Sequence, residues 1–114
     1  MKIERMELSG RMSQAVRHGD TIYLAGQVGH GTNVTAQTTD MLAHVDRLLA
    51  ANGSNKSHIL SATIWIADMS GVAEMNAVWD AWIDPSNPPA RACVESRLVT
   101  PDYLVEVMII AARA

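Results

Sequence analysis

The sequence predicts an α+β fold, a mixed sheet of about six strands with two helices packed on one face. Two observations carry this. Two stretches repeat apolar residues at helical spacing, and β-branched runs punctuated by glycine and proline precede, separate and follow them. The resulting order is strands, helix, strand, helix and two further strands. With 114 residues, 48% of them hydrophobic, the chain fits one domain over residues 1–114. It shows no repeat, low-complexity block or Ser/Gly linker.

Thr21-Ile22-Tyr23-Leu24-Ala25 lies between Gly19-Asp20 and Gly26 and reads as a strand. Lys2 to Leu8 and Gln14 to Arg17 are shorter strands leading into it. From Val34, the residues Thr38, Met41, Leu42, Val45, Leu48 and Leu49 fall on one helical face. Thr32 or Asn33 can cap that helix, and Ala51-Asn52-Gly53 supplies a left-handed stop. Ile59 to Ala67 runs apolar and β-branched, as a buried strand does. After the break at Asp68 to Gly71, the residues Val72, Met75, Val78, Trp79, Trp82 and Ile83 form a second stripe. It ends before Asp84-Pro85-Ser86-Asn87-Pro88-Pro89. Arg91 to Arg97 and Leu104 to Ala112 flank Thr100-Pro101-Asp102 and are expected to pair as a hairpin, the second apolar enough on both faces to be central. Phenylalanine is absent, so the core must come from aliphatic residues and seven methionines.

A net charge of −3 and nine scattered Lys and Arg residues give no footprint for nucleic acid. The charged start Met1-Lys2-Ile3-Glu4-Arg5-Met6-Glu7 lacks the apolar centre of a signal peptide, and no run approaches the roughly 18 apolar residues of a membrane span. A soluble, cytoplasmic protein without a membrane partner is expected. A single cysteine, Cys93, cannot close an internal disulfide, in keeping with a reducing compartment. His18, His30, His44 and His58 have no metal-ligand spacing, so no metal is expected.

The chemistry concentrates in Pro89-Ala90-Arg91-Ala92-Cys93-Val94-Glu95 and in Glu106 within Leu104 to Ile110. These segments set an arginine, a thiol and a carboxylate into what should be the apolar heart of the domain, where unused charge is costly. Period-two alternation puts Arg91, Cys93 and Glu95 on one strand face and Ala92 and Val94 on the other. Arg91 can grip a carboxylate with its planar fork, or it can close an internal ion pair with Glu106 or Glu95. Residue type alone favours the ion pair. By residue type, Cys93 reads as a small buried hydrophobe. Asn76, in step with Val72 and Trp79, is an unexpected amide at the edge of the apolar stripe and reads as a hydrogen-bonded helix-packing residue. Gly26 reads as a strand-end turn. Trp79 and Trp82 are read as core.

Two motifs together resemble the Rid family of imine deaminases, also called the YjgF family: Ser13-Gln14-Ala15-Val16 with Asp20 through Gly29, and Pro89 to Val94 with Val105-Glu106-Val107. Ala62 to Asp68 and Met75-Asn76 before Trp79 are similar to the family's intervening pattern. The resemblance implies a chorismate-mutase-like fold and a homotrimer with three clefts between subunits. It implies hydrolytic deamination of small 2-imino or enamine acids, such as 2-iminopropanoate and 2-iminobutanoate, to 2-oxo acids and ammonia, without a cofactor. In this reading Arg91 binds the carboxylate and Glu106 positions or activates water, while Cys93, Gly26 and Asn76 line the cleft. Non-catalytic binding of a carboxylate metabolite in the same cleft is the alternative. Arg11-Met12 stands where many members have Pro-Tyr, so Met12 replaces a cleft tyrosine; Ala25 replaces a frequent serine, and Gly29 to Asn33 is short.

Overall fold

The computed structural model describes residues 1–114. Its elements are β1 (Ile3–Leu8), β2 (Ser13–His18), β3 (Thr21–Leu24), β4 (Gln27–Val28), α1 (Val34–Ala51), β5 (Ile59–Ile66), α2 (Val72–Trp82), β6 (Ala90–Glu95) and β7 (Val105–Ala112). The strands make one mixed sheet in the order β1-β2-β3-β7-β5-β6, with β4 also pairing to β7. The expected α+β architecture is present with seven strands, because the two residues of β4 add a short pairing that no sequence period signals.

α1 forms where its apolar stripe lies over β7, β4 and β3, and it packs against α2. Asn33 rather than Thr32 caps it, accepting from the Ala36 amide at 2.8 Å. Asn52 closes its end, and Gly53 turns the chain at φ +74°, a conformation that suits glycine. Alternation along the central strands then defines the core. Ala62, Ile64 and Ile66 of β5 and Val105, Val107 and Ile109 of β7 are buried with Met41, Leu42, Val45, Leu48 and Leu49 of α1 and Met75 and Trp79 of α2. Fully burying one such aliphatic side chain stabilises the fold by about 1.5–3 kcal/mol. The opposite sheet face has no helix over it, and Tyr23 and Met108 are exposed there.

The expected hairpin is not formed. β6 runs parallel to β5, and β7 pairs antiparallel with the other side of β5. The reason lies in the connection, which straddles the end of β5: Ser96 donates to the Ile66 carbonyl, and Ala67 donates to the Leu104 carbonyl, both at 2.9 Å. Buried Gln37 of α1 holds the far side of this loop, donating to the Asp102 carbonyl and accepting from the Leu104 amide, each at 2.8 Å. β7 is central as its two-sided apolar pattern requires. β6 is an edge strand.

Candidate functional site

Register fixes which side of the sheet each candidate residue occupies. In the parallel β5–β6 pair, Arg91, Cys93 and Glu95 stand beside Ala62, Ile64 and Ile66, whose side chains enter the helix-covered core. Arg91, Cys93 and Glu95 therefore share the helix-side face, as alternation predicts. In the β5–β7 pair, Glu106 stands beside Trp65, on the opposite face. Arg91 and Glu106 are separated by β5 and by the thickness of the sheet. Neither is in an apolar heart: Arg91 is exposed and Glu106 half-buried. The expectation of buried charge fails because β6 lies at the edge and Glu106 points away from the helices.

Around Arg91 the chain builds a cationic half-site. Arg91 pairs with neither Glu106 nor Glu95; the arginine ion pairs of the chain are Arg17–Glu4 and Arg47–Glu7. Its guanidinium carbon lies 5.3 Å from the centroid of the Trp79 ring, within cation–π range. Glu95 instead accepts from the Met69 amide at 3.0 Å and fastens the turn that precedes α2. Cys93 is partly buried against the core. Burial pushes its thiol pKa up, against the smaller opposing pull of Arg91, which leaves it a poor nucleophile. Asn76, one turn before Trp79 on α2, has a buried Oδ1 with no donor.

Around Glu106 there is a second half-site on the bare face. The carboxylate forms no ion pair in the chain and lies against Gly26, where an added Cβ would collide with it. Gly26 stands in the short link between the end of β3 and the start of β4 and leaves the space the carboxylate fills. Burial raises the Glu106 pKa, which moves the carboxyl toward the range useful for accepting and returning protons. Gln27, 7% exposed, donates to Gln14 Oε1 and to the Ala25 carbonyl, both at 2.9 Å. That amide ties the two parts of the N-terminal motif together. Met12 lies in the β1–β2 turn at the same end of the sheet, its amide bonded to Ser9 Oγ at 3.2 Å, and is 43% exposed.

The structure brings Arg91 and Cys93 together on one face, and Glu106 and Gly26 on the other. It does not bring the two groups together within one chain. Gln27 belongs to the N-terminal motif, but its side-chain bonds and the whole role of Gln37 have no signal in the sequence, since a buried amide has no periodic signature, and Trp79 reads there only as core. The i, i+3 spacing of Asn76 and Trp79 was the available signal that the helix face beneath Arg91 is not purely apolar. No three His, Cys, Asp or Glu side chains are grouped to hold a metal ion, and no helix is long and apolar enough to cross a membrane.

Comparison with known proteins gives the family. The family model described as endoribonuclease L-PSP matches residues 2–113. A RutC family protein of Haemophilus influenzae is 46% identical over 97% of this chain and 98% of its own. The RutC family protein YoaB of Escherichia coli strain K12 is 42% identical over 98% and 99%. A crystal structure of a YjgF family member from Neisseria meningitidis, 45% identical, superposes with a TM-score of 0.99 over 100% of this chain and 97% of that one. The split pair of motifs, the α+β sheet and these full-length matches agree, and the chain belongs to the family whose members carry the names RutC, YjgF and Rid.

Proposed function

We propose that the protein is a hydrolase of small 2-imino acids working in a cleft shared by two subunits of a homotrimer. The observation that carries this is Arg91: an exposed guanidinium with no carboxylate partner in its own chain, supported from below by an indole face. An unpaired arginine fork is built to receive a carboxylate through two parallel charge-assisted hydrogen bonds. Glu106 complements it chemically but sits on the opposite face, so a neighbour's Glu106 completes the cleft.

Arg91 anchors the substrate carboxylate and fixes the adjacent imine carbon. Glu106 accepts a proton from water as the water oxygen adds to that carbon and the electrons of the C=N bond move to nitrogen. Glu106 returns that proton to the nitrogen, giving a neutral carbinolamine, and then relays the hydroxyl proton to the same nitrogen as the C–O bond becomes C=O and the C–N bond breaks, releasing ammonia and a 2-oxo acid. Nothing in this sequence needs a covalent enzyme intermediate, which suits a thiol held protonated at Cys93. Such a role is protective, removing electrophilic imines before they reach other enzymes, and a cytoplasmic place fits it.

The test generates 2-iminopropanoate and 2-iminobutanoate with an amino-acid oxidase and follows their trapping by semicarbazide. Wild-type protein is expected to reduce trapping, and Arg91→Ala to lose at least about a hundredfold of that effect, the scale of removing an electrostatic clamp. Equal trapping with both proteins would defeat the proposal. A second reading, carboxylate binding without turnover, is favoured by Met12, whose thioether offers no hydroxyl; it predicts 2-oxo acid binding with no change in trapping. The family description as an endoribonuclease fits this chain less well, since a net charge of −3 provides no polyanion surface.

A further inference from the structure

We propose that Trp79 is a positioning residue for Arg91, holding the guanidinium flat and uncompensated so that its fork is ready for a carboxylate. The inference rests on the carboxylate-binding role of Arg91 proposed above. Trp79 is 4% exposed and would pass for an ordinary core residue. Yet its ring is what the Arg91 guanidinium rests on, 5.3 Å from centroid to carbon, and no acid group in the chain competes for that cation. An indole face attracts a cation through its quadrupole without neutralising it. It also leaves the N–H groups in the guanidinium plane free, and those are the groups a carboxylate uses. A glutamate partner would do the reverse, occupying the fork and cancelling the charge.

The ring is itself braced. Trp82, one turn later on α2, meets Trp79 at 5.3 Å between centroids with planes tilted by 58°, an edge-to-face-like contact. Trp82 Nε1 donates to Asp46 Oδ2 of α1 at 2.9 Å, and Lys56 lies over the outer side of Trp82 at 5.5 Å. The pair of indoles thus runs from a fixed hydrogen bond between the helices to the guanidinium at the sheet edge. The support matters because β6 is an edge strand and offers Arg91 no strand neighbour on its outer side.

Full-length wild type, Trp79→Phe, Trp79→Leu and Trp82→Phe are compared by calorimetric titration with 2-oxobutanoate and its uncharged amide, and by KM and kcat in the imine assay. Trp79→Leu is expected to weaken 2-oxobutanoate binding about ten- to thirtyfold and Trp79→Phe about two- to fivefold, the range of a partly desolvated cation–π contact. The loss falls on KM with kcat nearly kept, the amide is unaffected, and Trp82→Phe, which removes the hydrogen bond that braces the ring, shows a loss of the same kind smaller than that of Trp79→Phe. A purely structural role would not separate acid from amide in this way. Should Trp79→Leu fail to fold, the Arg91 Nε–H resonance of wild type, assigned by its absence from Arg91→Ala, decides the matter. A ring-current upfield shift that shrinks in Trp79→Phe supports the stack, and a resonance at the free-arginine position overturns it. Folded Trp79→Leu that binds 2-oxobutanoate as tightly as wild type also overturns it, with the deaminase reading intact. Binding that follows Trp79 without any imine turnover upholds the stack and removes the deaminase instead.

Discussion

β7 has neighbours on both sides and four fully buried residues, Val105, Val107, Ile109 and Ala111, whereas β6 has one neighbour and none. Each strand nevertheless carries one of the two charged groups on which the proposed chemistry depends. At the centre of the sheet, backbone pairing and core packing fix Glu106 to within what β7 allows, and Gly26 shapes the space it fills. At the edge, Arg91 is held by side-chain contacts and stays open to whatever docks there. A carboxylate that must return to one position after each proton transfer belongs on the rigid strand. A cation that must meet a ligand belongs on the accessible one, and β6 exposes Val94 as well, the kind of unpaired edge that a partner surface covers.

The contributions of the two strands can be separated genetically. Arg91→Ala and Glu106→Gln are each expected to be inactive. Unfolded, mixed in equal amounts and refolded together, they should regain activity in about a quarter of the clefts if each cleft takes one group from either neighbour, as a cyclic assembly permits. Zero recovery in a mixture shown to contain mixed oligomers would place both groups of a cleft in one chain. A smaller effect is expected of Gly26→Ala. The new methyl group collides only with the flexible end of Glu106, so the carboxylate shifts while the fold gives way little. Turnover should fall by about ten- to a hundredfold, the cost of misplacing a reacting group by about 1 Å. Melting temperature should barely move; an equal loss of stability would mean that Gly26 serves the fold instead.

The mildest effect is in pH dependence. Glu106 has its pKa raised by burial, so a base at this position gains activity as pH climbs through a value above the ordinary glutamate range. The linked stability term has the opposite sense. A raised carboxyl binds its proton more tightly in the folded chain, favouring the fold below the unfolded value and losing that contribution as pH rises through the folded value. The wild-type kcat/KM profile should carry that acidic limb, and Glu106→Gln should flatten this part of the stability curve, as measured by denaturant melts across pH.

The helices and six of the seven strands were legible because their signals are local: the stripe from Val34 to Leu49, the stop at Gly53 and the β-branched run from Ile59 each specify an element without reference to any other. The pairing of β6 was not. A hairpin is the local solution for two strands joined through Thr100-Pro101-Asp102, and nothing nearby in sequence announces that β5 comes between them or that Gln37 clamps the connection. The motifs supplied the identities of Arg91, Cys93, Gly26 and Glu106 as candidates, and alternation correctly grouped Arg91 with Cys93. That Arg91 and Glu106 face opposite ways follows only once β5 is known to pair parallel with one and antiparallel with the other.

The bare face and open edge of the sheet also bear on how an enzyme of the proposed kind behaves at low abundance. If a working cleft needs two chains, specific activity becomes a function of dilution, collapsing when the protein falls below the concentration at which its subunits stay associated. The same chain would then be competent where it is plentiful and silent where it is scarce, with no modification or effector required.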